Sequence, residues 1–401
     1  MAERTKGSVI FKYLSEDFIV EELGEDERSE CKISSSTDVF NGAGVDFGKL
    51  DVLDRRLFLM CDLEKIDLDH FTAMSILCRA LSLAPHQIGY AGTKDKKAWT
   101  CQRITLFNPD IAKVSAFRHQ GIFLKNFKWV KHKLKIGDLL GNRFTVVLRD
   151  ADTNALKILS RIKTNSEIPN LFGMQRFGSL RNDNVLIGKL ILKRKFEDAV
   201  FAFLVGAGES ENAIVREAKK RLIHEKDLNA ARDFFPSKLH LECKILDYLS
   251  MHPGDWVGAL KLIDEKVIAL MCQSVQSQIF NEVLEYAIDE GLPLSNTTIP
   301  LIGSTGKFSP GRIGRLQERV FESHGLSLAN LSVPQLPAAS LKNSTRDAFF
   351  KVRLLEVETA DDELFLPSKK VILKFMLDSG VYATTFLEYF FTLLTNHKAN
   401  V

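Results

Sequence analysis

One stretch of the chain combines residues that could carry out chemistry with a backbone that could hold them. Residues 92–102 read GTKDKKAWTCQ, so the carboxylate of Asp95 stands among three lysines. The residues before it (88–91, IGYA) and after it (103–107, RITLF) are typical of short strands. Asp95 is therefore predicted to lie on a loop between two strands, where catalytic side chains are often placed. The alternative is a solvated turn whose charges face water.

The composition is that of an ordinary soluble protein. Of 401 residues, 45% are hydrophobic and 26% are charged, and this length accommodates about two or three domains. The net charge of +3 is weak, so a nucleic-acid partner has to be argued from local clusters of basic residues.

The cysteines and the apolar runs narrow the class further. The six cysteines contain no Cys-x-x-Cys pair, which argues against a zinc site and favours reduced thiols in the cytosol. The first residues, MAERTKG, lack the apolar run of a signal peptide, and no apolar run is long enough to span a membrane. We expect a cytoplasmic protein with no membrane segment, no bound metal and no cofactor.

The stretch around Asp95 resembles the nucleophile motif of the TruD family of pseudouridine synthases, Gly-x-Lys-Asp-x-x-Ala-x-Thr-x-Gln. Four further segments resemble that family in the same order, and the resemblance extends over residues 9–390. It implies that Asp95 is the nucleophile. It also places Lys94 and Gln102, which belong to the same motif, among the substrate-binding residues.

Two of the other segments supply candidate substrate contacts. Lys12-x-x-x-Glu-Asp-Phe18-x-Val resembles the N-terminal motif, and Gly-Asn142-Arg-Phe144 resembles the second motif. The resemblance implies that Phe18 and Phe144 line the active site and that Asn142 pairs with an edge of the uracil. From the residues alone, both phenylalanines would be core side chains and Asn142 a turn residue. Lys12 is assigned to the site less firmly.

The last two segments add Arg176 and Tyr382. Residues 170–178, NLFGMQRFG, resemble the third motif, with Leu171 where the family usually has tyrosine. Arg176 is predicted to hold a phosphate or, with nearly equal weight, a carboxylate such as Asp95. Since burial alone would raise the pKa of Asp95, a neighbouring cation is required, and we favour Arg176 over Lys12. Tyr382 occupies the aromatic position of the C-terminal motif, although a tyrosine at a strand end is commonly a core residue.

The most basic run of the chain is KNFKWVKHKLK, residues 125–135. If it is a strand, Lys131, Lys133 and Lys135 lie on one face and could follow a phosphate backbone. A solvated strand face is the alternative, and the sequence does not decide whether the run meets RNA.

The predicted fold class is α+β. The resemblance implies a pseudouridine synthase catalytic domain with a mixed, mainly antiparallel sheet and helices, interrupted by a largely helical insertion called the TRUD domain. The expected boundaries are 1–180 for the first part of the catalytic domain, 181–345 for the insertion and 346–401 for the return of the catalytic domain. Helical patterns dominate residues 183–290.

The resemblance implies a tRNA pseudouridine synthase that acts on the uridine at position 13, with other structured RNAs as further possible substrates. A monomer is expected, although the sequence does not decide the oligomeric state. A catalytically silent RNA-binding or chaperone module on the same scaffold is the alternative, and retention of Asp95 argues against it. A metal-dependent nuclease using Asp95 and Asp17 is remote, since no second carboxylate cluster is visible.

Overall fold

The computed structural model describes residues 3–4, 9–24, 30–41, 44–48, 57–151, 166–173, 176–177, 183–206 and 212–389. The chain divides into two compact units. Unit 1 consists of Met1–Ile168 and Lys351–Val401, and unit 2 consists of Pro169–Phe350.

Unit 1 is built on one mixed sheet. Its strands are β1 (Glu3–Arg4), β2 (Ile10–Phe11), β3 (Phe18–Leu23), β4 (Phe58–Ile66), β5 (Ile88–Tyr90), β6 (Trp99–Phe107), β7 (Ile122–Val130), β8 (Gly141–Ala151), β13 (Arg353–Asp361) and β14 (Lys369–Asp378). The main order is β1-β2-β8-β3-β6-β4-β7, β14 pairs with both β8 and β13, and β5 pairs with β6. The β3–β6 pair is parallel and the other pairs described in this sheet are antiparallel. The predicted mixed, mainly antiparallel sheet is confirmed.

Helices α1 (His70–Leu81) and α2 (Ile111–Ala116) accompany this sheet. Helix α1 begins where the side chain of Asp69 accepts a hydrogen bond from the backbone N–H of Thr72, which satisfies one of the free N–H groups of the first turn. Its buried face, with Leu77 and Leu81, packs into the same core as Leu59 and Leu63 of β4. Alternate residues of β4 thus face this core.

Unit 2 is largely helical. Its helices are α3 (Asn184–Leu192), α4 (Phe196–Val205), α5 (Ala213–Glu225), α6 (Leu228–Phe234), α7 (His240–Met251), α8 (Trp256–Leu260), α9 (Glu265–Asp289) and α10 (Gly311–Ser323), and β10 (Thr298–Leu301) pairs antiparallel with β11 (Ser344–Asp347). Helix α9 contributes a long series of buried side chains to the core. Strands β9 (Glu167–Pro169) and β12 (Phe349–Lys351) lie where the chain passes between the units.

The division of the chain differs from the predicted boundaries at 180 and 345. Phe172 packs edge-on against Phe280, and its backbone N–H donates to the side chain of Asn281 at 2.8 Å. The described residues from 169 to 177 and residues 346–350 thus belong to unit 2. No helix among the described residues is both long and apolar enough to cross a membrane.

Candidate active site

Asp95 lies on the loop between β5 and β6, as the sequence predicted, and its side chain is 42% exposed. The loop is fastened at several backbone atoms. The side chain of Gln102 donates to the carbonyl of Gly92 at 3.0 Å, and the N–H of Gly137 donates to the carbonyl of Ala91 at 2.8 Å. A fixed backbone therefore presents a carboxylate that remains accessible.

The cation beside Asp95 is Lys12. Its ammonium lies 2.9 Å from Oδ2 of Asp95, and its side chain is only 15% exposed. The same ammonium lies 3.8 Å from the centroid of the Phe18 ring, a cation–π contact that adds to its placement. Lys12 follows β2 directly and has a positive φ of 52°, which turns the chain at this point. The preference for Arg176 over Lys12 as this cation is therefore corrected.

A second lysine, Lys65, holds the backbone of the loop. Nζ of Lys65 donates to the backbone oxygen of Asp95 at 2.6 Å and to that of Leu68 at 2.8 Å. Lys65 is fully buried, because it lies on the face of β4 that carries Leu59, Cys61 and Leu63 into the core. Burial lowers its pKa to about 8, an effect that the nearby Asp95 carboxylate opposes.

Lys94 faces the interior of unit 1. Its ammonium pairs with Oε2 of Glu22 at 2.7 Å, and both side chains are almost completely buried. The other oxygen of Glu22 accepts from the backbone N–H of Arg103 at 3.1 Å. A buried ion pair of this kind orders the loop. In this structure the ammonium of Lys94 is engaged by Glu22, and its assignment to substrate binding stays a prediction.

Gln102 is also completely buried, and its amide nitrogen is occupied by Gly92. Its Oε1 and both ring nitrogens of the neighbouring His70 are buried without a hydrogen-bond partner among the described residues. Burial lowers the pKa of His70 to about 4. Gln102 therefore holds the loop from the buried side, and its assignment as a substrate contact stays a prediction.

The two predicted phenylalanine walls are core residues in this structure. Phe18 is 1% exposed and Phe144 is 6% exposed. Phe144 stacks on Phe375 with ring centroids 5.2 Å apart, and it lies 6.1 Å from Phe18. The face of Phe18 is covered by Lys12. Both phenylalanines are therefore packed as core residues. Phe18 affects Asp95 through Lys12, because its ring contacts the ammonium that pairs with the carboxylate.

Asn142 offers a polar atom, and Tyr382 an aromatic ring, that could contact a substrate. Asn142 pairs in register with Glu22 of β3, and its Oδ1 is buried with no partner among the described residues. Tyr382 follows β14 and precedes the helical residues 383–389, and it is 63% exposed. The alternative of a core tyrosine is excluded. An exposed aromatic ring is suited to stacking with a base.

Arg176 belongs to unit 2, where its Nε lies 3.1 Å from Oγ of Ser277 and another guanidinium nitrogen lies 3.0 Å from Oε1 of Gln273. Its role as a substrate-binding residue stays a prediction.

The basic run does not form the predicted lysine stripe. Strand β7 ends at Val130, so Lys131, Lys133 and Lys135 do not share a strand face. Lys133 donates to the carbonyl oxygen of His86. Lys125, on β7, pairs with buried Glu64 at 2.5 Å. This part of the run stabilises the sheet, and its contact with RNA stays undecided.

Two features escaped sequence reasoning. The first is that Lys65 and Glu22 hold the loop that carries Asp95. The sequence offered one sign of this, since Lys65 continues the series of alternate apolar residues Leu59, Cys61 and Leu63 in β4. The second is a buried cluster of the Cys31 and Cys101 thiols and the Asp62 carboxylate. One possible ligand atom from each residue lies within 4.8 Å of the other two. These residues are far apart in sequence. The described cluster offers three groups, one fewer than the four protein ligands typical of a structural zinc site.

Comparison with known proteins identifies the family. The family model for tRNA pseudouridine synthase D (TruD) matches residues 2–298 and 294–390, so the chain belongs to the TruD family. A relative from Methanopyrus kandleri, "Probable tRNA pseudouridine synthase D", is 30% identical over 81% of this chain and 83% of its own. One of the same name from Methanosarcina acetivorans is 27% identical over 82% and 86%.

The fold is similar to that of a solved tRNA pseudouridine synthase D from Methanosarcina mazei. The TM-score is 0.77 at 24% sequence identity, covering 98% of this chain and 96% of the other. At this identity the likeness supports the fold.

Proposed function

We propose that the protein is an RNA-modifying isomerase that converts uridine to pseudouridine in tRNA, at position 13, with Asp95 as the nucleophile. Membership of the TruD family supports the reaction class. The observation that carries the assignment of Asp95 is its geometry: a half-exposed carboxylate on a fastened loop, with the ammonium of Lys12 at 2.9 Å.

The reaction requires what this arrangement offers. The C1′–N1 bond of uridine breaks, the uracil turns, and a C1′–C5 bond forms. N1 gains a proton and C5 loses one, so the change is an isomerisation. A carboxylate attacks either C6 of the base or C1′ of the ribose. The ammonium of Lys12 lies beside the Asp95 carboxylate, so it can offset negative charge there when the carboxylate is regenerated.

The target base must leave its stack to reach Asp95, at a cost of a few kcal/mol. Stacking on an aromatic ring returns about 1–3 kcal/mol per base. Tyr382 offers an exposed ring for this purpose. The orphaned Oδ1 of Asn142 suits an N–H donor on the uracil edge, whose binding would supply the missing partner.

The alternatives receive less support. A silent binding module does not require an accessible carboxylate paired with a lysine. A nuclease that combines Asp95 with Asp17 is disfavoured, because both oxygens of buried Asp17 accept hydrogen bonds from Arg149. We further propose that the protein acts as a monomer in the cytoplasm, where the substrate tRNA is found and where the six free cysteines remain reduced.

The test uses an unmodified tRNA transcript, the wild-type protein and the Asp95→Asn variant. Pseudouridine is detected by chemical adduct formation and primer extension. We expect a stop at one uridine with the wild type and none with Asp95→Asn, although both bind the transcript. Asp361→Asn, at an exposed carboxylate paired with Lys369, is the matched control and should keep full activity.

Each other outcome has a defined meaning. Absence of a stop with the wild type, despite tight binding, would refute the tRNA-synthase assignment for that substrate. Equal activity of Asp95→Asn would remove Asp95 from the nucleophile role.

A further inference from the structure

Unit 2 contains an open pocket of about 310 Å³ whose lining is basic. Its lining includes three cationic side chains and three hydroxyl groups, those of Arg176, Lys342, Arg346, Ser277, Ser344 and Thr345. Among the described residues that line the pocket there is no aspartate or glutamate. A lining of this kind selects an anion that accepts several hydrogen bonds.

Arg346 is held in one position. Its Nε donates to the backbone oxygen of Asn170 at 2.7 Å, and a second nitrogen donates to Oδ1 of the same residue at 2.5 Å. Its guanidinium carbon lies 4.1 Å from the ring centroid of Phe172. Because the Arg346 side chain is already ordered, its positive charge is held at the pocket and loses little further entropy when an oxyanion binds nearby.

Arg176 lies close to the same ring. Its guanidinium carbon is 5.7 Å from the Phe172 centroid, and both arginines line the same pocket. Ser277 and Gln273, through Oγ and Oε1, orient its side chain.

We propose that this pocket is a phosphodiester subsite for the RNA substrate, with Arg346, Arg176 and Lys342 as its cations. The proposal rests on the proposed function, since it assigns part of the RNA contact to unit 2. Because the pocket is open, a phosphate that belongs to a continuous RNA chain can bind in it while the chain extends on both sides. Phe172 is covered by Arg346, so the pocket recognises the backbone and not the base.

The test measures affinity for unmodified tRNA across a series of salt concentrations. The variants are Lys342→Gln, at an exposed side chain, and Arg346→Gln. Lys244→Gln is the matched control, since Lys244 is exposed on α7 and does not line the pocket. Each pocket variant should bind about tenfold more weakly and reduce the slope of log affinity against log salt by about 0.7–1. The control should keep the wild-type slope.

Arg346→Lys separates charge from fold. It should restore much of the salt slope that Arg346→Gln loses. Arg346→Gln could also disturb β11, so circular dichroism and thermal unfolding accompany it, and exposed Lys342→Gln provides an independent reading. Wild-type slopes for both Lys342→Gln and a folded Arg346→Gln would overturn the subsite, even if the wild type forms pseudouridine.

The binding assay and the modification assay fail independently. If the wild type forms no pseudouridine, the proposed function fails, while the slopes still decide the subsite. Inorganic phosphate and uridine monophosphate identify the source of the anion. If either raises the unfolding temperature of the wild type but not of Arg346→Gln, while the RNA slopes are unchanged, the pocket binds a free anion and the phosphodiester assignment is overturned.

Discussion

The side chain of Lys65 donates a hydrogen bond of 2.6 Å to the backbone oxygen of Asp95. Lys65, near the end of strand β4, thereby fixes the backbone of the proposed nucleophile. Lys12 contacts the side-chain carboxylate of the same residue. The two lysines divide the task. Lys12 pairs with the carboxylate, and Lys65 holds the backbone of the loop that carries it.

Replacing Lys65 should therefore slow the reaction without preventing RNA binding. In Lys65→Met, the carbonyl oxygens of Asp95 and Leu68 lose their common donor, and the loop shifts. A misplacement of roughly 1 Å costs about 100-fold in rate, so we expect kcat to fall by that order while KM changes little. Single-turnover kinetics on the tRNA transcript measure this. Lys96→Met, at an exposed lysine of the same loop, should keep wild-type kinetics.

A folded Lys65→Met variant with normal kcat would show that Lys65 only stabilises the fold. Thermal unfolding is measured in parallel, since two unsatisfied carbonyls cost about 1–3 kcal/mol each.

The Lys94–Glu22 pair should contribute to stability much more than to substrate affinity. Lys94→Met leaves the buried carboxylate of Glu22 without its cation, and breaking a buried pair in this way costs about 3–5 kcal/mol. Glu22→Gln with Lys94→Met removes both charges and should recover much of this loss. Urea unfolding of the two single variants and the double variant gives the coupling energy. Additive effects would contradict the pairing, as would a large rise in KM for the stable double variant.

The sequence predicted those parts of the site that depend on local pattern. Alternation around Gly92 predicts two strands with Asp95 between them, and β5 and β6 are there. The alternating residues of the C-terminal part predict strands near 349–357 and 371–376, where β12, β13 and β14 lie. Such patterns can be read without tertiary information because side chains alternate across a strand.

Tertiary contacts of long sequence separation could not be read in the same way. Nothing local shows that Lys12 reaches Asp95, 83 residues away, or that Lys94 turns inward to Glu22, 72 residues away. The motifs that contain Phe18 and Phe144 place these residues near the site, but they do not distinguish a ring that contacts substrate from a ring packed in the core beneath it. Burial against Phe375 decides that, and it depends on the pairing of β8 with β14.

Tyr382 and Phe18 should respond differently to the loss of their rings. Tyr382 is exposed, so Tyr382→Leu should leave the unfolding temperature unchanged and weaken RNA binding or kcat/KM by about 1–3 kcal/mol, the value of one stacked base. Phe18 is buried beneath Lys12, so Phe18→Leu should lower stability and displace the ammonium from Asp95.

Thermal unfolding and kcat/KM, measured on both variants, separate these effects. A destabilised Tyr382→Leu variant, or one with unaltered kcat/KM, would refute the stacking role. Tyr13→Leu, at another exposed tyrosine of unit 1, is the matched control and should keep wild-type kcat/KM.

His70 should make the protein less stable in mild acid. Burial, reinforced by the charge of Lys65, lowers its pKa to about 4 from the ordinary 6.5, while Gln102 and Asp69 oppose the shift and Lys94 adds to it. Between these two values the unfolded chain binds a proton that the folded chain does not, so stability decreases as the pH falls through this window.

The full effect of such a shift, reached below both pKa values, is about 3–4 kcal/mol. In His70→Leu that contribution is absent, so the difference in unfolding free energy between wild type and variant should change in favour of the variant from pH 7 to pH 4.5. Urea unfolding at several pH values measures it. His86→Leu, at an exposed histidine, should follow the wild type. A pH-independent difference between wild type and His70→Leu would show that His70 accepts its proton equally well in the folded and unfolded protein.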